Sequence, residues 1–327
     1  MTFIHPWPMV GKWRWTASMD GEGYMPGSAA VVVTYFPDAD AVRTLKRLSE
    51  LSETLIIIDN TPEEMRKAFP QASNVVLWNP GKNIGLAAAL NRGMQLAADL
   101  GIQEVFLFDQ DSRPSDHYFQ QMLEFKSRLI KSGRKVAFCV PNFYDRNSKT
   151  FAVYPVVGRF SIRHVTCANM PGTFDNAALM AITSGMLISQ AAYRAVGPFR
   201  EDYFIDFIDN EYCLRANAAG YSVAVNCKAT LDHAIGHRSV KKFLGLTIKP
   251  NHHPPSRKYY IFRNGVRTAT DYFRQYPAYA GLMAARLAHE TLSIVLYEKN
   301  KRRKLRAIVF GFCHGSAGRM GKCPLTQ

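Results

Sequence analysis

Continuous apolar runs that alternate with stretches of helical spacing constrain this chain more than any other feature. AAVVVTY (Ala29–Tyr35) is rich in β-branched residues with no polar alternation, the composition of a strand buried on both faces of a parallel sheet. Ala41–Ser52 then sets Val42, Leu45, Leu48 and Leu51 at helical intervals, and TLIIID (Thr54–Asp59) is a second strand. A short helix at Glu63–Ala68, a third strand at Asn74–Trp78, a helix over Leu86–Leu100 and a fourth strand, VFLF (Val105–Phe108), continue the pattern. This order predicts a doubly wound, mostly parallel α/β sheet flanked by helices. Val136–Val140 reads as a fifth strand, Pro141–Leu179 as irregular, and Ala181–Ser189 as a strand carrying Ser184 and Gly185, with another short strand at Tyr221–Val225.

Open sheets of this kind bind ligands beyond the carboxyl ends of their strands. Those ends carry Thr34 and Tyr35, Asp59 and Asn60, Asn79 to Gly85, and Asp109 to Asp111. Asp and Asn are poor core material but suit sugar hydroxyls, base edges and metals. No GxGxxG follows the first strand, which disfavours a dinucleotide site. FDQDS (Phe108–Ser112) sets two carboxylates two residues apart, so a continued pleat would direct Asp109 and Asp111 to one side, as hard donors for Mg²⁺ or Mn²⁺. Capping of backbone amides is the plainer reading. A second acidic group, Asp202, Asp206, Asp209 and Glu211, precedes a helix running to about Ala219 and is interleaved with Phe204, Ile205, Phe207 and Ile208. Helix-end electrostatics accounts for acids there, while partial burial among apolar side chains points to a chemical task. LDHAIGH (Leu231–His237) adds His233 and His237 as candidate ligands or structural histidines.

Charge divides the chain. Residues 238–327 hold 18 basic and 3 acidic side chains, whereas residues 1–237 hold 23 of each, so the whole net charge of +15 lies in the last quarter. The division suggests a lead-in over 1–28, a catalytic domain over 29–237 and a basic, mostly helical module over 238–327 that faces an anionic membrane. Nucleic acid is the alternative polyanion. Tyr276–Tyr297 is interrupted by Arg286, His289 and Glu290 and falls short of a membrane span. Six scattered cysteines without a CxxC pair predict reduced thiols in a cytoplasmic setting.

TYFPDAD (Thr34–Asp40), IIIDNT (Ile56–Thr61), NPGKNIGLAAALNRG (Asn79–Gly93), FDQDS, TSGMLIS (Thr183–Ser189), IDNEYCLRANAAGY (Ile208–Tyr221) and RKYYIFRN (Arg257–Asn264) together resemble the inverting family 2 glycosyltransferases of GT-A fold. The match is nearest to bacterial rhamnosyltransferases of O-antigen or rhamnolipid synthesis. The resemblance implies that Thr34, Tyr35, Asp59, Asn60, Asn83, Gly85 and Asp109 bind the nucleotide-sugar donor, that Asp111 ligates the metal, and that His233 is a further ligand. It implies Asp209 as catalytic base, with Asp206 as its rival because Ile208 stands where many relatives carry an acid, and Glu211 in support. Ser184 and Gly185 fall in the acceptor loop.

The reaction so implied is a single displacement: the acceptor hydroxyl attacks the anomeric carbon while Asp209, with an ordinary pKa of about 3.9, takes its proton. The expected donor is dTDP-L-rhamnose and the expected acceptor a glycolipid or lipid-linked glycan at the inner face of the bacterial cytoplasmic membrane. Another hexose from a UDP or GDP donor, a DxD phosphatase and a non-enzymatic basic nucleic-acid binder are the alternatives.

Overall fold

The computed structural model describes residues 27–65, 68–170, 177–233, 241–243, 246–248 and 250–324; the lead-in, all but its last two residues, and His237 lie outside these. The predicted alternation is present as β1 (Ser28–Thr34), α1 (Ala39–Leu51), β2 (Thr54–Asp59), β3 (Val75–Trp78), α2 (Leu86–Asp99) and β4 (Glu104–Asp109). β1 pairs in parallel with β2 on one side and β4 on the other, and β3 extends the sheet beyond β2. Every residue of β1 is buried, as a strand covered on both faces requires. Each fully buried Val there contributes about 1.5–3 kcal/mol. Asp38 starts α1 by accepting a bond from the Ala41 amide at 2.8 Å.

The second half departs from the sequence expectation. β5 (Arg113–Pro114), α3 (Tyr118–Lys131), β6 (Val136–Asp145), β7 (Thr150–Phe151), β8 (Tyr154–Val157), β9 (Ile162–Val165), β10 (Ala178–Leu179), β11 (Met186–Ser189), α4 (Gln190–Val196), α5 (Ile208–Ala218) and β12 (Ser222–His233) follow. The sheet is mixed rather than mostly parallel in this half: β11 runs antiparallel between β4 and β6, and β12 lies parallel to β6. The segment expected to be irregular contains a separate three-stranded sheet in the order β10-β8-β9. Its strands are short and pair mostly with one another, so no long apolar run announces them.

The basic module holds a hairpin of β13 (Lys241–Phe243) and β14 (Leu246–Ile248), then α6 (Pro255–Asp271), α7 (Pro277–Tyr297) and α8 (Lys301–Ser316). The module is mostly helical, and its three helices pack around a buried ionic knot. Lys258 of α6 donates to Glu298 Oε1 at 2.8 Å and to Asn251 Oδ1 at 2.6 Å and pairs with Glu290. Lys304 of α8 reaches Glu298 Oε2 at 2.6 Å. Burial alone would raise the Glu298 carboxyl, but the two ammonium groups outweigh it and hold the carboxyl below its ordinary value of 4.5. Its contribution is therefore present above that ordinary value and lost as the pH falls through the lowered one. Glu298→Gln leaves two buried ammonium groups short of a counter-charge and is expected to destabilise the fold by about 3–5 kcal/mol, read as a drop in the urea midpoint. A midpoint within error of the parent would refute a structural role for the knot.

Among the described residues no helix is long and apolar enough to cross a membrane. The expectation of six reduced thiols is corrected: Cys167 and Cys227, 60 positions apart in sequence, form a disulfide with Cα atoms 5.5 Å apart. Only the topology brings them together, so no spacing motif marks the pair.

Candidate functional site

The carboxyl ends of β1, β2 and β4 meet at the point where the strand order reverses, and the pairing registers place Thr34 opposite Asp59 and Val33 opposite Asp109. Thr34 Oγ1 donates to Asp59 Oδ1 at 3.0 Å, and the Thr61 amide donates to the same oxygen at 3.1 Å. Asn79 Nδ2 reaches the Asp59 carbonyl at 2.8 Å and the Thr61 carbonyl at 2.9 Å. Asp59 is thus a buried hub that ties three strand ends together. Tyr35, half exposed, stands above it, its amide bonded to Gln110 Oε1 at 2.9 Å and its ring edge-on to Phe36 with centroids 4.5 Å apart.

Asn60 donates through Nδ2 to the Gly85 carbonyl at 3.2 Å, and Asn83 Oδ1 accepts from the Gly85 amide at 2.8 Å. Gly85 has φ +90°, and a Cβ there would come within 2.7 Å of the Phe204 ring and 2.8 Å of its carbonyl oxygen. The Leu86 amide donates to that carbonyl at 2.7 Å. The loop read as approaching the donor is therefore joined to the segment that carries the second acidic group.

That segment is bent hard. Phe204, Asp206 and Phe207 all have positive φ, between 64° and 65°, a conformation that costs non-glycine residues energy and persists only when the surroundings impose it. The restraint comes from α6. Asn264 Nδ2 donates to the carbonyls of Tyr203, Ile205 and Asp206 at 3.0, 2.8 and 2.9 Å, and Arg263 donates to those of Asp202 and Tyr203 at 2.9 and 3.0 Å. Both side chains are fully buried. The RKYYIFRN stretch carried a family likeness but no role in the sequence reading; its last two residues hold this loop.

The bend delivers Asp209 to the first turn of α5. Burial pushes its carboxyl up to about 6, with Asp206 and Asp109 adding like charge, while the Asn210 amide and Arg286 of α7 pull the other way. The ordinary carboxylate assumed from sequence is thus corrected by its surroundings, although it still ionises below pH 7. Asp109 and Asp206 thus lie near enough to Asp209 for their charges to act on it. Asp206 is held by Arg257, whose Nη2 lies 3.1 Å from Oδ1. Asp209 has no ion-pair partner among the described residues. Glu211 faces elsewhere: fully buried, it pairs with Arg215 at 2.9 Å and accepts from the Tyr272 hydroxyl at 2.9 Å, which fastens α5 to the end of α6. The sequence shows Arg286 only as an interruption of an apolar stretch; its action on Asp209, 77 positions earlier, comes from the fold.

The metal and acceptor expectations fare differently. β4 ends at Asp109, and the Ser112 amide bonds back to the Asp109 carbonyl at 3.2 Å, so a turn and not a continued pleat positions Asp111. Ser184 and Gly185, expected in an acceptor loop, are packed beneath that turn. Ser184 Oγ bonds Ser112 Oγ and accepts from the Asp109 amide at 3.4 Å, and a Cβ on Gly185 would meet Tyr118, Leu231 and Pro141 within 2.8 Å. They support the turn from behind. His233 ends β12, and its side chain lies outside the described ones. Among the described residues no group of three or more His, Cys, Asp or Glu forms a ready-made metal cage. Two carboxylates at a turn suit Mg²⁺ or Mn²⁺, whose remaining positions are ordinarily filled by substrate phosphate and water.

No family model matches the chain. It is 31% identical over 244 residues to the dTDP-rhamnosyl transferase RfbF of Shigella flexneri, covering 72% of this chain and 77% of that one. It is 20% identical over 305 residues to the low-salt glycan biosynthesis hexosyltransferase Agl10 of Haloferax volcanii, covering 89% and 92%. The crystal structure of S. aureus TarS 1-349 aligns with a TM-score of 0.50 and 9% identity over 88% of this chain and 80% of that one, a likeness of fold alone.

Proposed function

Because the chain belongs to the GT-A-fold family 2 glycosyltransferases that include the dTDP-rhamnosyl transferase it matches, we propose that it moves L-rhamnose from dTDP-L-rhamnose to a hydroxyl of a glycolipid or lipid-linked glycan. Membership overturns the phosphatase and nucleic-acid alternatives. The observation that carries the reading is the buried Asp209, its carboxyl raised, within electrostatic range of Asp109 at the strand ends that carry Thr34 and Asp59. The donor's nucleoside lies over Tyr35, Asp59 and Asn60, with Asn83 and Gly85 on its sugar side. Asp209 accepts the proton of the attacking acceptor hydroxyl as the bond to the anomeric carbon forms and the bond to the diphosphate breaks, with inversion. Asp206, neutralised by Arg257, orients the loop. Asp109 and Asp111 would hold a Mg²⁺ or Mn²⁺ ion, with His233 as a further ligand. When bound, the cation offsets charge on the leaving diphosphate.

The working place that follows is the inner face of the cytoplasmic membrane, where the basic module faces anionic lipid. A UDP- or GDP-hexose donor is the second reading, favoured by the likeness to an archaeal hexosyltransferase. Incubation with dTDP-L-rhamnose, UDP-glucose and GDP-mannose separates the two. Nucleoside diphosphate release from dTDP-L-rhamnose is expected to exceed the others by at least about tenfold, the discrimination a few specific contacts supply. Equal turnover of all three, or a preference for UDP or GDP, refutes the donor assignment.

A further inference from the structure

α8 turns to solvent a face with two chemistries. Its first turns expose Arg302, Arg303 and Arg306, and farther along the same outward side Val309 and Phe312 are 60% and 56% exposed. The helix cannot rotate to hide them. Lys304 is tied into the buried knot, and Gly311 and Gly315 lie so close to α6 that a Cβ would meet the Tyr259 carbonyl oxygen at 2.6 Å and the Arg263 carbonyl oxygen at 2.5 Å. The inward side is fixed by packing, and the outward side is fixed with it.

Charge and polarity together select the occupant. A second copy of the chain would bring one cationic module against another, since residues 238–327 hold 18 basic and 3 acidic side chains. A nucleic acid would satisfy the arginines but offers no apolar medium for Phe312 and Val309. An anionic bilayer supplies phosphate headgroups and, a few ångströms deeper, hydrocarbon. We propose that the outward face of α8 docks this protein on an anionic lipid bilayer, with Arg302, Arg303 and Arg306 among the headgroups and Val309 and Phe312 at the acyl boundary. The inference rests on the reading of the chain as an enzyme of membrane-borne acceptors and names the surface that makes contact.

Co-sedimentation of the full chain with vesicles tests it, using phosphatidylcholine alone and phosphatidylcholine mixed with phosphatidylglycerol. Deletion of the whole basic run would remove Lys304 and unfold the module, so point variants are used. The parent is expected to partition onto phosphatidylglycerol vesicles, with binding that weakens steeply in salt. R302E with R303E should lower that partition by about a hundredfold, and V309S with F312S by about tenfold. Far-UV circular dichroism and nucleotide-sugar turnover with a water-soluble acceptor serve as controls and should match the parent in every variant, so failed chemistry is seen apart from failed docking. Equal binding to both vesicle types, or partition unchanged in both variants, overturns the proposal. So does a parent dimer by light scattering that V309S with F312S converts to monomer, because the face would then be a contact between copies.

Discussion

Asp209→Asn is expected to lower kcat by about 10³-fold, within the range that a positioned general base contributes. The parent's kcat/KM should fall tenfold per pH unit on the acid side of about 6, the value to which burial lifts this carboxyl, and stay level above it. The same shift makes a second, opposite claim about stability. A folded-state pKa raised above the ordinary 3.8 means that the folded protein holds the proton more tightly than the unfolded chain, so stability is lost as the pH rises through that window. Asn in place of Asp209 removes the buried charge and should raise Tm by a few degrees at pH 7.5, with the gain shrinking toward pH 4. Loss of activity together with a gain in stability cannot arise from misfolding. Activity within a few-fold of the parent, or an acid limb near pH 4, would refute Asp209 as the base and direct attention to Asp206.

The second large effect belongs to a residue that touches no substrate. Asn264→Ala orphans the carbonyls of Ile205 and Asp206, takes one of its donors from that of Tyr203, and removes the acceptor of Arg263 Nε, which donates to Asn264 Oδ1 at 2.9 Å. The expected cost is about 3 kcal/mol in the urea midpoint, since unpaired buried polar groups carry their full desolvation penalty. Because Asp206 and Asp209 follow this backbone, kcat should drop by about 10²-fold while donor KM moves little, as a displacement of about 1 Å at a reacting group does. Asn264→Asp separates hydrogen bonding from packing. It keeps the shape but cannot donate, so it should fail as badly as Ala. Restoration of kcat by N264D would show that Asn264 merely fills space.

The strand ends were legible in the sequence because strands buried on both faces must be apolar along their whole length, and the polar residues that end them stand out. Thr34, Asp59, Asn60 and Asp109 stand at strand ends as expected. The rest of the site was not legible, for several physical reasons. The antiparallel direction of β11 is set by pairing with β4 and β6 and leaves no local mark, and nothing in the sequence shows that the turn before it buries Ser184 against Ser112 and Gly185 against Tyr118. The left-handed backbone at Phe204, Asp206 and Phe207 is imposed from α6 against the preference of those residues, and no propensity argument recovers it. The elevated Asp209 pKa belongs to the surroundings rather than to the residue. Glu211 showed the limit of an acidic cluster as a signal, since one of its members serves only to fasten two helices.

One consequence concerns the order of events during synthesis. Arg263 bonds the Gly321 carbonyl, and the Gly321 amide bonds the Asp202 carbonyl at 2.9 Å. The parallel half is built from neighbouring strands and helices and can take shape early in synthesis, because domains fold from their N-terminal side as they emerge. The 202–207 loop has no such independence. Its backbone is completed by contacts more than 100 residues downstream, so the strand ends can be in place well before the loop that faces them. That loop closes only once the last helix has been made, at the same moment as that helix's exposed outer face.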